Sequence, residues 1–400
     1  MTDYDLVIAG GGLVGASLAA ALDGTGLRVA VAEAATPGAP GQPSFDERQT
    51  ALAPSSQRFF SALGLWPAIA AEAAPIRSIH VSEQGMPSMV RLHAADEGLD
   101  ALGYVVPNRV LGAVLQPAME SAAEVIAPAR ITAAEVGTDA VTLTLEGENG
   151  RRSLSSRLLA VADGGGSPLC AMLGIRRRVR DYEQTAVIAG VRTERPGQGW
   201  AYERFTPEGP LAMLPAGQGR HALVWTLPRE RAEAIAGCPE PAFLTALQDA
   251  FGWRLGRLQA VGERYRYPLR AVTAERFVAP RAVILGNAAH TLHPVAGQGF
   301  NLALRDVADL AERVGSATDT GARDCSPAMR QRGGRTSAGP SRLPMPWCAG
   351  SPTDCPACAA AGSPPSPPWS YSRGCAMPWH AKAWGVRVGS RGSAEGCRWR

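Results

Sequence analysis

A chain of 400 residues with 46% apolar and 19% charged side chains is long enough for two domains with sizeable cores, and its makeup is that of an ordinary globular protein. Its charge is unevenly spread: residues 323–400 carry 11 basic and 3 acidic side chains, against 29 and 33 in residues 1–322. The mildly acidic body gives no reason to expect a nucleic-acid partner, and its two cysteines, Cys170 and Cys238, argue against a disulfide framework and for a cytoplasmic setting.

Residues 4–9 are a short apolar run that predicts a buried strand. Glycines at 10, 11, 12 and 15 predict a turn, Leu13 to Leu22 a helix, and Leu27 to Ala32 a second buried strand ending at Glu33. Asp3 and Asp5 stand where a signal peptide would carry basic residues. A Gly/Pro loop follows at 37–43, and residues 55–73 read as helical. Short strands are expected over 76–106, a helix over 111–122, and strands over 141–145 and 154–161. Residues 182–228 read as antiparallel strands with turn signals at 206–209 and 216–219. A helix over 241–251, a buried strand over 281–285 and a helix over 302–314 complete the body.

The pattern predicts an α/β fold: a Rossmann-like domain of discontinuous chain, a β-rich substrate domain and a disordered C-terminal tail. The first domain takes 1–75, 105–175 and 275–315; the second takes 76–104 and 176–274.

Three motifs carry the chemistry. In Gly10-Gly11-Gly12-Leu13-Val14-Gly15, Gly10 permits the tight turn, Gly12 admits a pyrophosphate to the backbone, and Gly15 lets the helix pack on the strand. The helix start then offers free N–H groups to phosphate, and Glu33, about 20 residues on, suits ribose hydroxyls. The second motif is a buried strand running into Asp163-Gly164, which by itself also reads as a plain turn. The third runs from Ala282 through Gly286-Asn287 and a loop holding His290, His293, Pro294, Gly297, Gln298 and Gly299 to Asn301, where a helix start can stabilise negative charge on a ring. His290 and His293 lack further ligands nearby, so no metal site is expected; shaping the loop and relaying a proton both remain open for them.

In order, spacing and strand context, the three motifs resemble the FAD-dependent aromatic hydroxylases of the para-hydroxybenzoate hydroxylase fold over residues 1–315. Four stretches, Phe45–Arg48, Glu203–Pro215, Phe251–Gly256 and Gly286–Ala289, are similar to the ubiquinone-biosynthesis branch, the 2-polyprenyl-6-methoxyphenol hydroxylases. The resemblance implies FAD, with NAD(P)H as co-substrate, O₂ as oxidant and ring hydroxylation of a prenylated phenol through a flavin C4a-hydroperoxide. It assigns cofactor contacts to Gly10, Gly12, Gly15, Glu33, Arg48, Arg109, Asp163, Gly286, Asn287, Gly297, Gly299 and Asn301, and candidate catalytic positions to His293, Pro294 and Gln298. Asn287 replaces the aspartate of most family members but keeps an acceptor for a ribityl hydroxyl, and Cys170 stands where an arginine usually follows the Asp-Gly motif. A long isoprenoid substrate implies transient contact with the inner membrane, and its pathway implies a quinone-biosynthesis complex. A hydroxylase of a soluble phenol and a non-catalytic flavoprotein subunit are the competing readings.

The tail departs from the resemblance. Residues 323–400 contain one leucine, no isoleucine or phenylalanine, 11 prolines and six cysteines. Such a composition cannot build a packed core, so residues 316–400 are expected to be aberrant and disordered, with a shifted reading frame near 322–325 as the hypothesis. A zinc-binding tail built on Cys355 and Cys358 with Cys348 and Cys375 is the alternative.

Overall fold

In the computed structural model, which describes residues 2–36, 48–148, 150–217, 219–291, 298–317 and 320–321, the chain forms three sheets. Strand β1 (Tyr4–Ala9) turns at Gly10 into helix α1 (Leu13–Ala21), and β2 (Val29–Ala32) returns beside β1. Next come β3 (Gln49–Leu52), α2 (Pro54–Ala62) and α3 (Trp66–Ala70). The single helix expected over 55–73 is divided because Gly64 takes a φ of +71° and Pro67 fits only the first turn of a new helix. Then follow β4 (Ala74–Ile76), β5 (Ser78–Glu83), β6 (Met89–His93), β7 (Gly103–Pro107) and α4 (Asn108–Ala122). Four strands, β8 (Glu124–Ile126), β9 (Ala129–Val136), β10 (Val141–Gly147) and β11 (Gly150–Val161), lead to the short α5 (Leu169–Met172). A meander of β12 (Arg177–Thr193), β13 (Trp200–Thr206), β14 (Gly209–Pro215) and β15 (Arg220–Pro228) runs into α6 (Arg229–Gly237) and α7 (Glu240–Phe251). The chain closes with β16 (Leu258–Val261), β17 (Tyr265–Ala274), β18 (Val278–Ala279), β19 (Ala282–Ile284), β20 (His290–Thr291) and α8 (Gln298–Ser316).

The first sheet has the order β18-β19-β11-β1-β2-β8, and from β19 to β8 its neighbours are parallel. β1 and β2 are apolar along most of their length because both faces of the sheet are covered. On one face lie α1, α4 and α8; the last contributes Leu304, Val307, Leu310 and Val314 at helical spacing. On the other, β9 and β10 bring Ile131, Val141 and Leu143 against Val7, Ala9 and Val161.

The second sheet has the order β20-β17-β12-β15-β14-β13-β5-β6. Its two faces follow from strand alternation. Leu211, Met213, Leu223 and Trp225 point at Phe243, Leu247 and Phe251 of α7. The opposite face packs Ile79, Val81 and Ala201 on Ala51, Ile76 and Val105 of the small sheet β3-β7-β4. β20 falls in the sequence assigned to the first domain, yet it pairs with β17, Thr291 opposite Val272, so the third motif's loop is hydrogen-bonded into the second sheet. Of the tail expected to be disordered over 316–400, Ser316 closes α8 and Thr320 is buried, its Oγ1 donating to the Asp5 carbonyl oxygen at 3.1 Å; the expectations for residues 322–400 lie outside the described residues. No described helix is long and apolar enough to cross a membrane.

Candidate functional site: a cradle at the carboxyl ends of four parallel strands

Parallel register brings the three motifs to one edge. Ala9 stands opposite both Ala32 and Val161, and Val161 stands opposite Ile284. The residues that leave these strands, Gly10, Glu33, Asp163 and Gly286, therefore emerge side by side, where an open parallel sheet presents its ligand crevice. The loops touch pairwise. A Cβ on Gly10 would lie 2.7 Å from the Ala162 carbonyl oxygen and 2.8 Å from the Asp163 Cα. One on Gly286 would lie 3.0 Å from Val14 Cγ2, and one on Gly165 would lie 4.0 Å from Asn287 Cβ. Gly10 (φ +99°) and Gly286 (φ +58°) also hold left-handed backbone that glycine adopts without strain. Gly15 presses on the carbonyl oxygen of Gly10, which fixes α1 against β1.

The start of α1 is open to an anion. Gly12 is its N-cap in an extended conformation, with no side-chain cap and no acidic residue in the first turn. Glu33 is held at the end of β2, its Oε2 accepting from the Gly11 N–H at 2.6 Å and its Oε1 from the Ala35 N–H at 2.8 Å. Its carboxylate is thus set beside the glycine turn, with lone pairs left for hydroxyl donors.

Asp163 is exposed at the mouth of the cradle, yet the protein packed around the strand end desolvates its carboxyl and raises its pKa above the usual range, against the charge of Arg177. Arg177, which the motifs alone do not mark, donates to the carbonyl oxygens of Gly165 (2.7 Å) and Ser167 (2.9 Å) and braces this loop. Cys170 is fully buried; its Sγ lies 3.7 Å from the Ala288 carbonyl oxygen, and burial pushes the thiol up. It therefore packs the second motif on the third and offers no surface to a nicotinamide.

The third motif divides between cradle and scaffold. Asn287 is exposed, and its carbonyl oxygen accepts from Thr291 Oγ1 at 3.3 Å. The amide of Asn301 is spent within the protein: Oδ1 accepts from the Ala53 N–H and Ser56 Oγ, and Nδ2 donates to the Ala51 carbonyl oxygen, each at 2.7 Å. Only its backbone is left for a ligand. His290 is buried, with Nε2 3.1 Å from Asp306 Oδ2 of α8. Gly299 has open space where a Cβ would stand. His293, Pro294 and Gly297 lie outside the described residues, as does the side chain of Gln298.

The two arginines differ. Arg109 sits on α4 and pairs with Glu72 at 2.6 Å on the surface. Arg48 lies 5.1 Å over the ring of Tyr267 on β17, and its carbonyl oxygen accepts from the Asn108 N–H at 2.8 Å. It joins the cradle side of the molecule to the second sheet.

The family described as FAD binding domain matches residues 3–324. The chain belongs to this FAD-binding family. It is 38% identical over 327 residues to the ubiquinone hydroxylase UbiL of Rhodospirillum rubrum, covering 81% of this chain and 75% of that protein. It is 32% identical over 323 residues to the 3-demethoxyubiquinol 3-hydroxylase of Escherichia coli, covering 79% and 81%. The structure of a probable FAD-dependent monooxygenase, pqsL of Pseudomonas aeruginosa, shares the fold with a TM-score of 0.69 at 23% identity, covering 84% and 92%. The protein is an FAD-dependent monooxygenase, and the residues present fit the cofactor: a backbone cradle too tight for a Cβ, an uncapped helix start and a carboxylate beside it.

Beyond the cradle, the sheet face that carries Tyr267 continues through Ala186 and Ile188 on β12, Val224 on β15, Ala212 and Leu214 on β14, and Glu203 and Phe205 on β13. Of these, Ile188, Val224, Ala212, Leu214, Glu203 and Phe205 are only partly covered, whereas their opposite-face neighbours Val187, Trp225, Leu211 and Met213 are buried. This half-open apolar face is the flavoprotein's candidate substrate wall. Glu203 is its one carboxylate, and burial alone raises that group to about 7. The motifs do not mark it. Alternation along Trp200–Thr206 places it with Ala201 and Phe205, but only the neighbouring strands reveal that no described side chain balances it.

Proposed function

We propose that this flavoprotein hydroxylates the ring of a polyprenylated methoxyphenol in ubiquinone biosynthesis, consuming NAD(P)H and O₂. The observation that supports the reading is the half-open apolar wall on the sheet that is tied to the third motif: Tyr267 lies on that face under Arg48, and β17, further along, is paired with β20. Two relatives with ubiquinone pathway names support the substrate class.

In this reading Gly10, Gly12 and Gly15 admit the FAD pyrophosphate to the start of α1, and Glu33 accepts the ribose hydroxyls. Asp163 meets the pyrophosphate from the second strand. Gly286 and Asn287 hold the ribityl chain, and Arg48 and Arg109 flank the cofactor. Gly297, Gly299 and the backbone of Asn301 shape the start of α8, whose dipole favours negative charge on the reduced ring. His293, Pro294 and Gln298 border the reacting edge. FAD, once reduced and exposed to O₂, supplies an electrophilic oxygen; the protein orients the phenol on the apolar wall and keeps water from the reacting centre. Contact with a membrane, from which so apolar a substrate is drawn, and membership of a quinone-biosynthesis complex belong to the same reading.

The test is turnover by FAD-loaded protein. A short-chain prenylated methoxyphenol should stimulate NAD(P)H oxidation and yield a product heavier by one oxygen, and the gene should restore quinone synthesis to a strain lacking the matching hydroxylase. Yellow protein that oxidises NAD(P)H no faster with the phenol, and gives no product, overturns the reading.

A further inference from the structure

A carboxylate without a partner is an expensive thing to place among apolar side chains. Across the sheet Glu203 faces Ala212 on β14 and Val81 on β5. Along its own strand it lies between Ala201 and Phe205, and the small sheet over this region brings Ala51, Ile76 and Val105. None of these ionises. On the same face of β5 the nearest titratable side chain is Glu83, at the exposed strand end. The adjacent Arg204 points to the other face, where its Nε donates to the Ala250 carbonyl oxygen at 2.9 Å. Among the described residues no hydrogen bond or ion pair engages Glu203, and no charged neighbour contributes to its raised pKa.

The site nevertheless connects to the cofactor cradle. Ala201 and Val81, beside Glu203, share an apolar cluster with Ala51, whose carbonyl oxygen is bonded by Asn301 in the first turn of α8. Glu203 thus stands on a partly open sheet face whose apolar cluster is tied through Ala51 to the first turn of α8, and no described side chain serves it.

We propose that Glu203 is a catalytic base that accepts the hydroxyl proton of the phenol substrate during ring hydroxylation. The proposal rests on the substrate class put forward above. As the step proceeds, the phenol O–H bond breaks and its proton passes to a Glu203 carboxylate oxygen. The freed electron pair enters the ring, whose attacked carbon bonds one oxygen atom of O₂; the other leaves as water, with NAD(P)H supplying the two electrons through FAD. The attacked carbon then loses its hydrogen as a proton, which together with one proton from solvent and the hydrogen delivered by NAD(P)H completes the new hydroxyl and the water, and Glu203 returns its own proton to the phenol oxygen. An apolar wall suits this exchange, because a base poised near neutrality transfers protons efficiently in both directions.

The experiment uses the FAD-loaded full chain with a singly prenylated 2-methoxyphenol and its O-methyl ether as probes. Binding is followed by the change in flavin absorbance and turnover by product. Wild type should bind the phenol about 10-fold better than the ether, the margin of one charge-assisted hydrogen bond. Its kcat should rise with pH to a plateau above roughly pH 7, where the base is ionised. E203Q should hold flavin, lose the preference, lose the acid limb and drop in kcat by about 10²-fold, with E203D recovering part of the limb. E203Q that keeps both preference and limb overturns the proposal while product from wild type still stands. If E203Q fails to hold flavin, wild type decides: a kcat flat across roughly pH 6 to 8 overturns the proposal, and a limb that shifts in E203D sustains it. No phenol binding or product with wild type sinks the substrate reading and this proposal together.

Discussion

The backbone of Gly10 lies against that of Asp163, 153 residues later in the chain, so closely that a Cβ on the glycine would stand 2.8 Å from the aspartate's Cα. Both neighbours of the missing Cβ, the Ala162 carbonyl and the Asp163 Cα, are backbone and cannot rotate away. Gly10→Ala should therefore destabilise the fold by about 2–4 kcal/mol, combining overlap with strain at a φ of +99°. It should also leave the purified protein colourless. Gly165→Ala is the control, since its Cβ meets nothing nearer than Thr291 Oγ1 at 3.5 Å; its stability should stay within about 0.5 kcal/mol of wild type. Denaturant midpoints and flavin content measure both, and a yellow Gly10→Ala protein of normal stability would contradict this account of the cradle.

Asn301 is expected to matter for stability before it matters for the cofactor. Its buried amide satisfies two donors and one acceptor at the β3–α2 corner. Truncation strands those groups, so Asn301→Ala should lower stability by about 2–4 kcal/mol. Asn301→Asp should also be harmful, because it replaces the donor facing the Ala51 carbonyl oxygen with an acceptor. A urea series checks this. Unchanged stability with weakened FAD binding would transfer the amide from scaffold to ligand.

Glu33 already accepts two backbone N–H groups, so replacing one oxygen by an amide turns one contact from attraction to repulsion. Glu33→Gln should weaken FAD binding by about 10- to 100-fold, the scale of one charged hydrogen bond and a disturbed turn. Titration of apoprotein by flavin fluorescence quenching reads the change directly. An unaltered Kd would remove Glu33 from the ribose site.

The pH dependence of stability offers a further check on Glu203. Its folded pKa of about 7 exceeds the ordinary value of 4.5, so the protonated group fits the fold and the ionised one does not. That contribution is fully present below about pH 4.5 and is lost as pH rises through about 7. Glu203→Gln should match wild type near pH 4 and exceed it by about 1–3 kcal/mol at pH 8. Equal stabilities at pH 8 would mean that water or an unseen partner already solvates the carboxylate.

Each motif was legible because its signal is local. An apolar run, a glycine turn and a following helix or carboxylate lie within about 20 residues, and period and turn chemistry act over that range. The break at Gly64 and Pro67 is just as local, yet the expectation of a helix over 55–73 passes over it because periodicity alone smooths across two short helices.

By itself, then, the amino-acid sequence determined a dinucleotide site with three turns and a β-rich partner layer, since backbone sterics and hydrophobic periodicity need only near neighbours. Tertiary structure alone decided which polar groups serve the fold and which are left for chemistry. Asn301 and Cys170 are used up by partners up to 250 and 118 residues away, while among the described residues Glu203 is left unpaired, its cross-strand neighbours on β14 and β5 being Ala212 and Val81. Desolvation and hydrogen-bond satisfaction depend on everything packed around a side chain, and a linear pattern does not contain that information.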